Sequence, residues 1–278
     1  MFGVPTYSLD SDLAESIEIV RANAPADGSP YYGLFSGGKD SVALREVARI
    51  AGVAVEWHYN VTTIDPPPVV RFIQRHHADV RWVRSKHGPF FRRAAEVKGF
   101  PTRRSRWCCQ EYKESRVPSD RVLLMGIRAE ESARRAARWK NVQTHWRSGA
   151  TVVNPLLLWD SEELWQFIRG ASVPYCSLYD EGFHRLGCVG CPMARARGKR
   201  LAFNRWPKFE ERWRYVFRRT WERRHGTTQR DGRPWFGDAY FHDWEEMWQW
   251  WLSDAGLPCR LAARSLDLFP PREEVDRG

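Results

Sequence analysis

The chain has 278 residues, 42% of them hydrophobic, enough to bury a sizeable core and too apolar for a disordered chain. Its net charge of +10 suits an anionic partner, a nucleotide or a nucleic acid. No apolar run approaches the length of a membrane span, so no membrane partner is expected.

Residues 1–15 are polar and acidic and lack the apolar stretch of a secretory signal, so a cytoplasmic setting is expected. A helix is predicted over 11–22, packed beside the core. Strands are predicted over 31–36, 53–61, 80–84 and 122–127. Helices are predicted between them, over 40–51, 68–77, 89–97 and about 109–116. This alternation predicts an α/β fold, a doubly wound and mainly parallel sheet with its site at the carboxyl ends of the strands. Beyond residue 200 the pattern becomes helical, over 205–224 and 243–255, and rich in tryptophan and arginine. Two domains are therefore expected, an α/β nucleotide-binding domain over 1–200 and a helical region over 201–278.

In the helical region Trp213, Phe217 and Trp221 recur every four residues. One reading is the buried stripe of a helical cap, with arginine stems covering apolar surface. The other is a nucleic-acid surface with stacking rings and phosphate-binding arginines. Residues 227–235 are polar and glycine-containing, which reads as a loop or lid, and the tail over 270–278 is charged.

The sharpest local feature is Ser36-Gly37-Gly38-Lys39-Asp40-Ser41, set between a strand and a helix. Glycines let backbone N–H groups crowd around an anion, and a helix N-terminus adds partial positive charge. Ser36 and Ser41 supply hydroxyls and Lys39 a point charge. The spacing is neither that of a Walker A loop nor that of GxGxxG. The bland alternative is an ordinary strand–turn–helix junction.

Four of the six cysteines fall in two tight groups, Cys108-Cys109 and Cys188-Val189-Gly190-Cys191. Adjacent cysteines diverge, which suits the separated corners of a [4Fe–4S] cluster better than tetrahedral zinc. Two disulfides or four buried thiols are the alternatives, and a cytoplasmic setting disfavours disulfides. Cys176 and Cys259 read as isolated buried thiols.

Five stretches together resemble the phosphoadenosine phosphosulfate (PAPS) reductase family of the ATP-pyrophosphatase, or PP-loop, superfamily. They are the loop from Ser36 to Ser41; Val61-Thr62-Thr63-Ile64-Asp65-Pro66-Pro67; Cys108-Cys109 with Lys113; Gly126-Ile127-Arg128-Ala129-Glu130-Glu131-Ser132 with Arg134 and Arg135; and Asn154-Pro155-Leu156 through Trp165 to Cys188-Val189-Gly190-Cys191-Pro192. The resemblance implies that Ser36, Gly37, Gly38, Lys39, Asp40 and Ser41 hold the phosphates of ATP, PAPS or APS, and that Asp65 lies near the nucleotide. It implies that Arg128, Glu131 and Arg134 complete the anion pocket, with Lys39, Asp40 and Arg128 closest to the chemistry. It also implies that Cys108, Cys109, Cys188 and Cys191 are the ligands of a [4Fe–4S] cluster. The bland reading of Arg128 and Glu131 is a surface ion pair.

The sequence departs from sulfonucleotide reductases at one point. Their late Glu-Cys-Gly-His motif is missing, and Cys259, after Pro258 and before Arg260, is the only late cysteine. The resemblance therefore implies an ATP pyrophosphatase of sulfur transfer. Such an enzyme, aided by Mg²⁺, adenylates an acceptor in tRNA, DNA or a small molecule and takes sulfur from a cysteine desulfurase or a thiol protein. The alternative is a thiol-dependent PAPS or APS reductase that releases sulfite. The cluster either handles sulfur or ties chain segments together.

Overall fold

The structure is a computed structural model that describes residues 11–114, 116–145 and 148–257, with Arg134 by its backbone alone. Cys259 and the charged tail over 270–278 lie outside the described residues. The elements in chain order are α1 (Ser11–Ala22), β1 (Tyr31–Leu34), α2 (Lys39–Ala51), β2 (Val55–Val61), α3 (Pro67–His76) and β3 (Arg81–Arg84). Next come α4 (Phe90–Arg93), α5 (Trp107–Tyr112), β4 (Leu123–Leu124), α6 (Ala133–Arg138), β5 (Val142–Thr144), β6 (Thr151–Val153) and α7 (Ser161–Gly170). The last are α8 (Ala196–Arg205), α9 (Pro207–Arg224), α10 (Phe236–Tyr240) and α11 (Trp244–Leu252).

The chain groups into two compact units. The first takes in the described residues up to Val61, then Asp65–Arg84 and Ser115–Gly187; the second takes in Thr62–Ile64, Ser85–Glu114 and the described residues from Cys188 onward. Where a single cut at residue 200 was expected, this grouping interleaves the chain. The reason is apolar packing: Phe90, Phe100, Trp107 and Val189 share one core with Trp213, Phe217 and Trp248 of the C-terminal helices.

In the first unit six strands form one sheet in the order β3-β2-β1-β4-β6-β5. All neighbours are parallel except β5 against β6. The α/β fold with a mainly parallel sheet is therefore as the alternation predicts. The chain winds outward from β1 through β2 to β3, then returns to the other side of β1 with β4. The carboxyl ends of β1 and β4 thus flank the point where strand order reverses.

Local sequence explains the helices that frame this point. In α2 the buried residues Val42, Leu44, Val47, Ala48 and Ala51 line the core side, and Gly52, at φ 73°, closes the helix with its N–H on Ala48 O and Arg49 O. Pro67 opens α3, where the missing N–H costs nothing. Asp160 and Glu163 form a reciprocal capping box at the start of α7, which buries Leu164 and Ile168.

The second unit is helical. α4 runs into one π-helical turn over Ala94–Lys98. Its terminal carbonyls are met by α9: Arg223 donates to Ala95 O at 2.5 Å and Arg224 to Lys98 O at 3.0 Å. Trp213, Val216, Phe217 and Thr220 of α9 are buried. Trp213 and Phe217 thus belong to the core of a helical unit. Residues 227–235 make a tight turn closed by Gln229 N–H on Arg233 O at 2.7 Å, and Trp235 is buried.

Candidate functional site

The loop between β1 and α2 is shaped by Gly37. Its φ is +72°, and a Cβ there would lie 2.9 Å from Ile73 of α3. Only glycine meets both demands. Gly38 is ordinary extended backbone at φ −85°, and a Cβ there would find its nearest neighbours at 3.4 Å, Ser36 Oγ and the Tyr179 hydroxyl. Ser41 Oγ donates to Gly38 O at 2.8 Å, and Ser36 Oγ lies 3.3 Å from Ser41 Oγ. The loop therefore stands at the N-terminus of α2, where the helix dipole favours an anion.

The segment after β4 meets the loop at the switch in strand order. Gly126 is needed there because a Cβ would lie 2.9 Å from Asp40 O. Two residues on, Arg128 is buried, with only 2% of its surface exposed. Its Nε donates to Asp40 Oδ1 at 2.6 Å, Nη1 to Glu130 Oε2 at 2.7 Å and Trp159 O at 3.1 Å, and Nη2 to Ser161 Oγ at 3.2 Å. Burial works against its charge, but Asp40 and Glu130 outweigh that and raise its pKa. Lys39, also buried, puts Nζ on the same Asp40 oxygen at 3.1 Å. Asp40 thus collects two cations on one carboxylate oxygen.

The other expected residues fall around this centre. Asp65 is half-buried between β2 and α3. Glu131 pairs with Arg135, and Arg185 lies 3.9 Å from its other oxygen. Arg134 lies in α6. Arg135 feels the charges of Asp40 and Arg128 as well as Glu131, and burial lowers its pKa. Tyr179 accepts the Lys39 N–H at 2.8 Å across 140 residues of chain. Neither Tyr179, Glu130 nor Ser161 is picked out by sequence reading. Their only signal is a place in stretches that resemble the family, because a lone tyrosine or serine in a loop has no periodicity to betray it.

The four expected ligand cysteines all lie in the second unit. Cys108 and Cys109 sit in α5, and Cys188 and Cys191 flank a turn in which Cys191 N–H meets Cys188 O at 3.1 Å. That turn is clamped. Val189 N–H donates to Ile64 O at 2.8 Å, and Trp213 Nε1 to Val189 O at 3.0 Å. Arg103 Nε donates to Pro192 O at 3.2 Å. Gly190 has φ +73°, and a Cβ there would lie 2.3 Å from Trp213 Nε1.

The five described cysteines are free thiols. A hydrogen bond to Cys109, then burial, push the Cys108 thiol up, and the charges of Cys109, Cys188 and Cys191 add to the effect. Hydrogen bonding from Cys108 and the cations Lys113 and Arg106 lower Cys109 to about 6, against the desolvation of its site. Cys109, Cys188 and Cys191 therefore all lie within electrostatic reach of Cys108. Trp107 Nε1, on the residue before Cys108, is a buried donor without an acceptor among the described residues. Four free thiols gathered in one unit are a donor set that fits a sulfide-bearing cluster. Among the described residues no group of three or more His, Cys, Asp or Glu forms a ready metal-ion site. Cys176, apart from these, is 2% exposed, and burial pushes its thiol up. Among the described residues no helix is long and apolar enough to cross a membrane.

The chain is similar to an uncharacterized protein of Methanocaldococcus jannaschii, 26% identical over 221 residues, 76% of this chain and 46% of that one. It is similar to the adenosine 5'-phosphosulfate reductase of Allochromatium vinosum, 31% identical over 105 residues, 36% of this chain and 40% of that one. The chain thus spans less than half the length of these curated relatives. Among solved structures, the PAPS reductase of Candida auris in its phosphate complex superposes with a TM-score of 0.49 at 16% identity, covering 63% of this chain and 88% of that one. The model of the phosphoadenosine phosphosulfate reductase domain matches residues 31–194, more than half of the chain, and the protein belongs to that family.

Proposed function

We propose that the protein cleaves an adenine nucleotide at its α-phosphate to activate an acceptor for sulfur transfer. The carrying observation is the joint at the switch in strand order, where Gly126 packs on the Asp40 backbone and Arg128 grips the Asp40 side chain. This joint fixes a glycine loop and a helix N-terminus at the crevice where open α/β sheets take their ligands. In the proposed reaction an acceptor oxygen attacks the α-phosphorus of ATP, pyrophosphate leaves, and a sulfur nucleophile then displaces AMP. Gly37, Gly38, Ser36 and Ser41 receive the pyrophosphate. Lys39 supplies positive charge against it, and Arg128, its donors engaged by the protein, acts by orienting Asp40. Asp65 and Glu131 lie in the segments that flank the nucleotide.

Lys39 and Arg128 both sit on Asp40 Oδ1, and Mg²⁺ arriving with the nucleotide would add charge against the pyrophosphate. Cys108, Cys109, Cys188 and Cys191 would hold a [4Fe–4S] cluster, whose chemistry is to bind sulfur or pass electrons. The acceptor is a nucleic acid, tRNA or DNA, or a small molecule, and the +10 charge favours the polyanions. A cysteine desulfurase or a thiol protein supplies the sulfur.

A second reading, a thiol-dependent sulfonucleotide reductase, is favoured by the 31% identity to a phosphosulfate reductase. One experiment separates the two. Anaerobically purified protein is given ATP, and separately PAPS or APS with thioredoxin. Pyrophosphate and AMP from ATP support the adenylating reading. Sulfite from the sulfonucleotide, with ATP left intact, overturns it.

A further inference from the structure

We infer that Tyr179 is a phosphate ligand of the nucleotide loop, its hydroxyl relaying the first N–H of α2 to the anion; this rests on the nucleotide reading above. The geometry begins with the Lys39 N–H, which donates to the Tyr179 hydroxyl at 2.8 Å. At the N-terminus of a helix that N–H is one of the donors that anions seek. Here a phenol oxygen already covers it. The hydroxyl also stands 3.4 Å from where a Cβ on Gly38 would be, so it overhangs the glycine turn.

A hydroxyl accepts and donates at once. Having accepted from Lys39, the Tyr179 oxygen keeps its own proton to give, and no acceptor for that proton is seen among the described residues. Burial raises the Tyr179 pKa above its ordinary value, so the group stays a donor throughout the physiological range. The accepted N–H polarises the O–H, which strengthens the bond it makes to a phosphate oxygen.

The ring is held for this task. Tyr179 ends a single 3-10 turn, Ser177–Tyr179, whose Leu178 is fully buried. Trp165 of α7 meets the ring edge to face at 5.0 Å and 82°. Asp180, the next residue, accepts from the Tyr175 hydroxyl at 3.1 Å and donates its N–H to Ser177 O at 2.9 Å. A tyrosine wanted only for packing needs no such placement of its oxygen.

The test is calorimetric titration of the full chain and of Tyr179→Phe with ATP, inorganic pyrophosphate and adenosine. Phenylalanine keeps the ring and its packing and removes only the hydroxyl. Loss of one hydrogen bond to a charged group predicts ~10-fold or greater weakening for ATP and pyrophosphate. Adenosine, which has no phosphate, should bind the variant as it binds the wild type. Unchanged pyrophosphate and ATP affinity overturns the inference, and so does an equal loss for adenosine, which marks a general loosening of the loop. A wild-type chain that binds neither ATP nor pyrophosphate overturns the nucleotide reading and this inference with it. That outcome is distinct from a binding wild type matched by its variant.

Discussion

Arg128 and Asp40 are 88 positions apart in the chain, and Arg128 Nε lies 2.6 Å from Asp40 Oδ1. The buried guanidinium spends its remaining donors on Glu130, Trp159 O and Ser161. Its immediate work is therefore to hold Asp40 and the end of β4 together. Replacing it with alanine leaves Asp40 with Lys39 alone and strands the other acceptors. The acceptors left behind are partly exposed and Asp40 keeps Lys39, so the loss is about 1–3 kcal/mol. Urea unfolding of Arg128→Ala should show a loss of that order, with ATP cleavage reduced as Asp40 loosens. Lysine cannot reach all four acceptors, so Arg128→Lys should recover only part. A wild-type unfolding midpoint in Arg128→Ala would show that the pair holds nothing.

The two glycines of the loop should respond differently to alanine. Gly37 has φ +72° and Ile73 2.9 Å from its Cβ position, so Gly37→Ala faces strain and a clash together. Gly38 has ordinary φ and contacts no closer than 3.4 Å. Gly37→Ala should lose nucleotide binding and stability, and Gly38→Ala should fold as well as the wild type. Calorimetry with ATP and a thermal melt decide it. Equal behaviour of the two variants contradicts the assignment of the turn to Gly37.

For the cysteine set, anaerobic protein should be brown and carry about four irons per chain. Cys188→Ala should bleach it and Cys176→Ala should not, since Cys176 lies in the first unit. Gly190→Ala is the finer test. It would drive a methyl against the Trp213 indole at 2.3 Å and strain a backbone at φ +73°, so the turn that presents Cys188 and Cys191 should open and iron should be lost. A colourless anaerobic sample with one zinc per chain would falsify the cluster.

His77 gives the fold an acid limit of its own. It is buried against Phe35 and Phe72, and its Nε2 has no partner among the described residues. Burial, then the Arg45 charge, lower its pKa from 6.5 to about 4, with Asp79 opposing and His76 adding to the fall. The folded state therefore resists a proton that the unfolded chain accepts. The contribution is present in full above pH 6.5 and is lost as pH falls from 6.5 to 4. His77→Phe, which keeps the ring packing, should flatten that part of the stability profile in urea titrations at stepped pH. An unaltered slope would mean that the acid limit lies elsewhere.

Sequence alone determined the β–α alternation, the Ser-Gly-Gly loop after β1, the two cysteine pairs and the aromatic stripe of α9. All of these are written in residues within one or two turns of each other, the range over which backbone preference and periodicity act. It underread what is short or polar. β4 has only two residues of ladder where a strand over 122–127 was expected, and the β5–β6 pair and the helices α6, α7 and α8 were not picked out. β5, Val-Gln-Thr at the sheet edge, gives too few residues for alternation to show. The tertiary structure decided everything carried by distant pairs. It set Tyr179 on the Lys39 N–H and Arg128 on Asp40, and drew Thr62–Ile64 and Ser85–Glu114 into the unit of the C-terminal helices. It also decided that Trp213 and Phe217 are core, because burial depends on which partner surface closes over a stripe, and no local pattern names that partner.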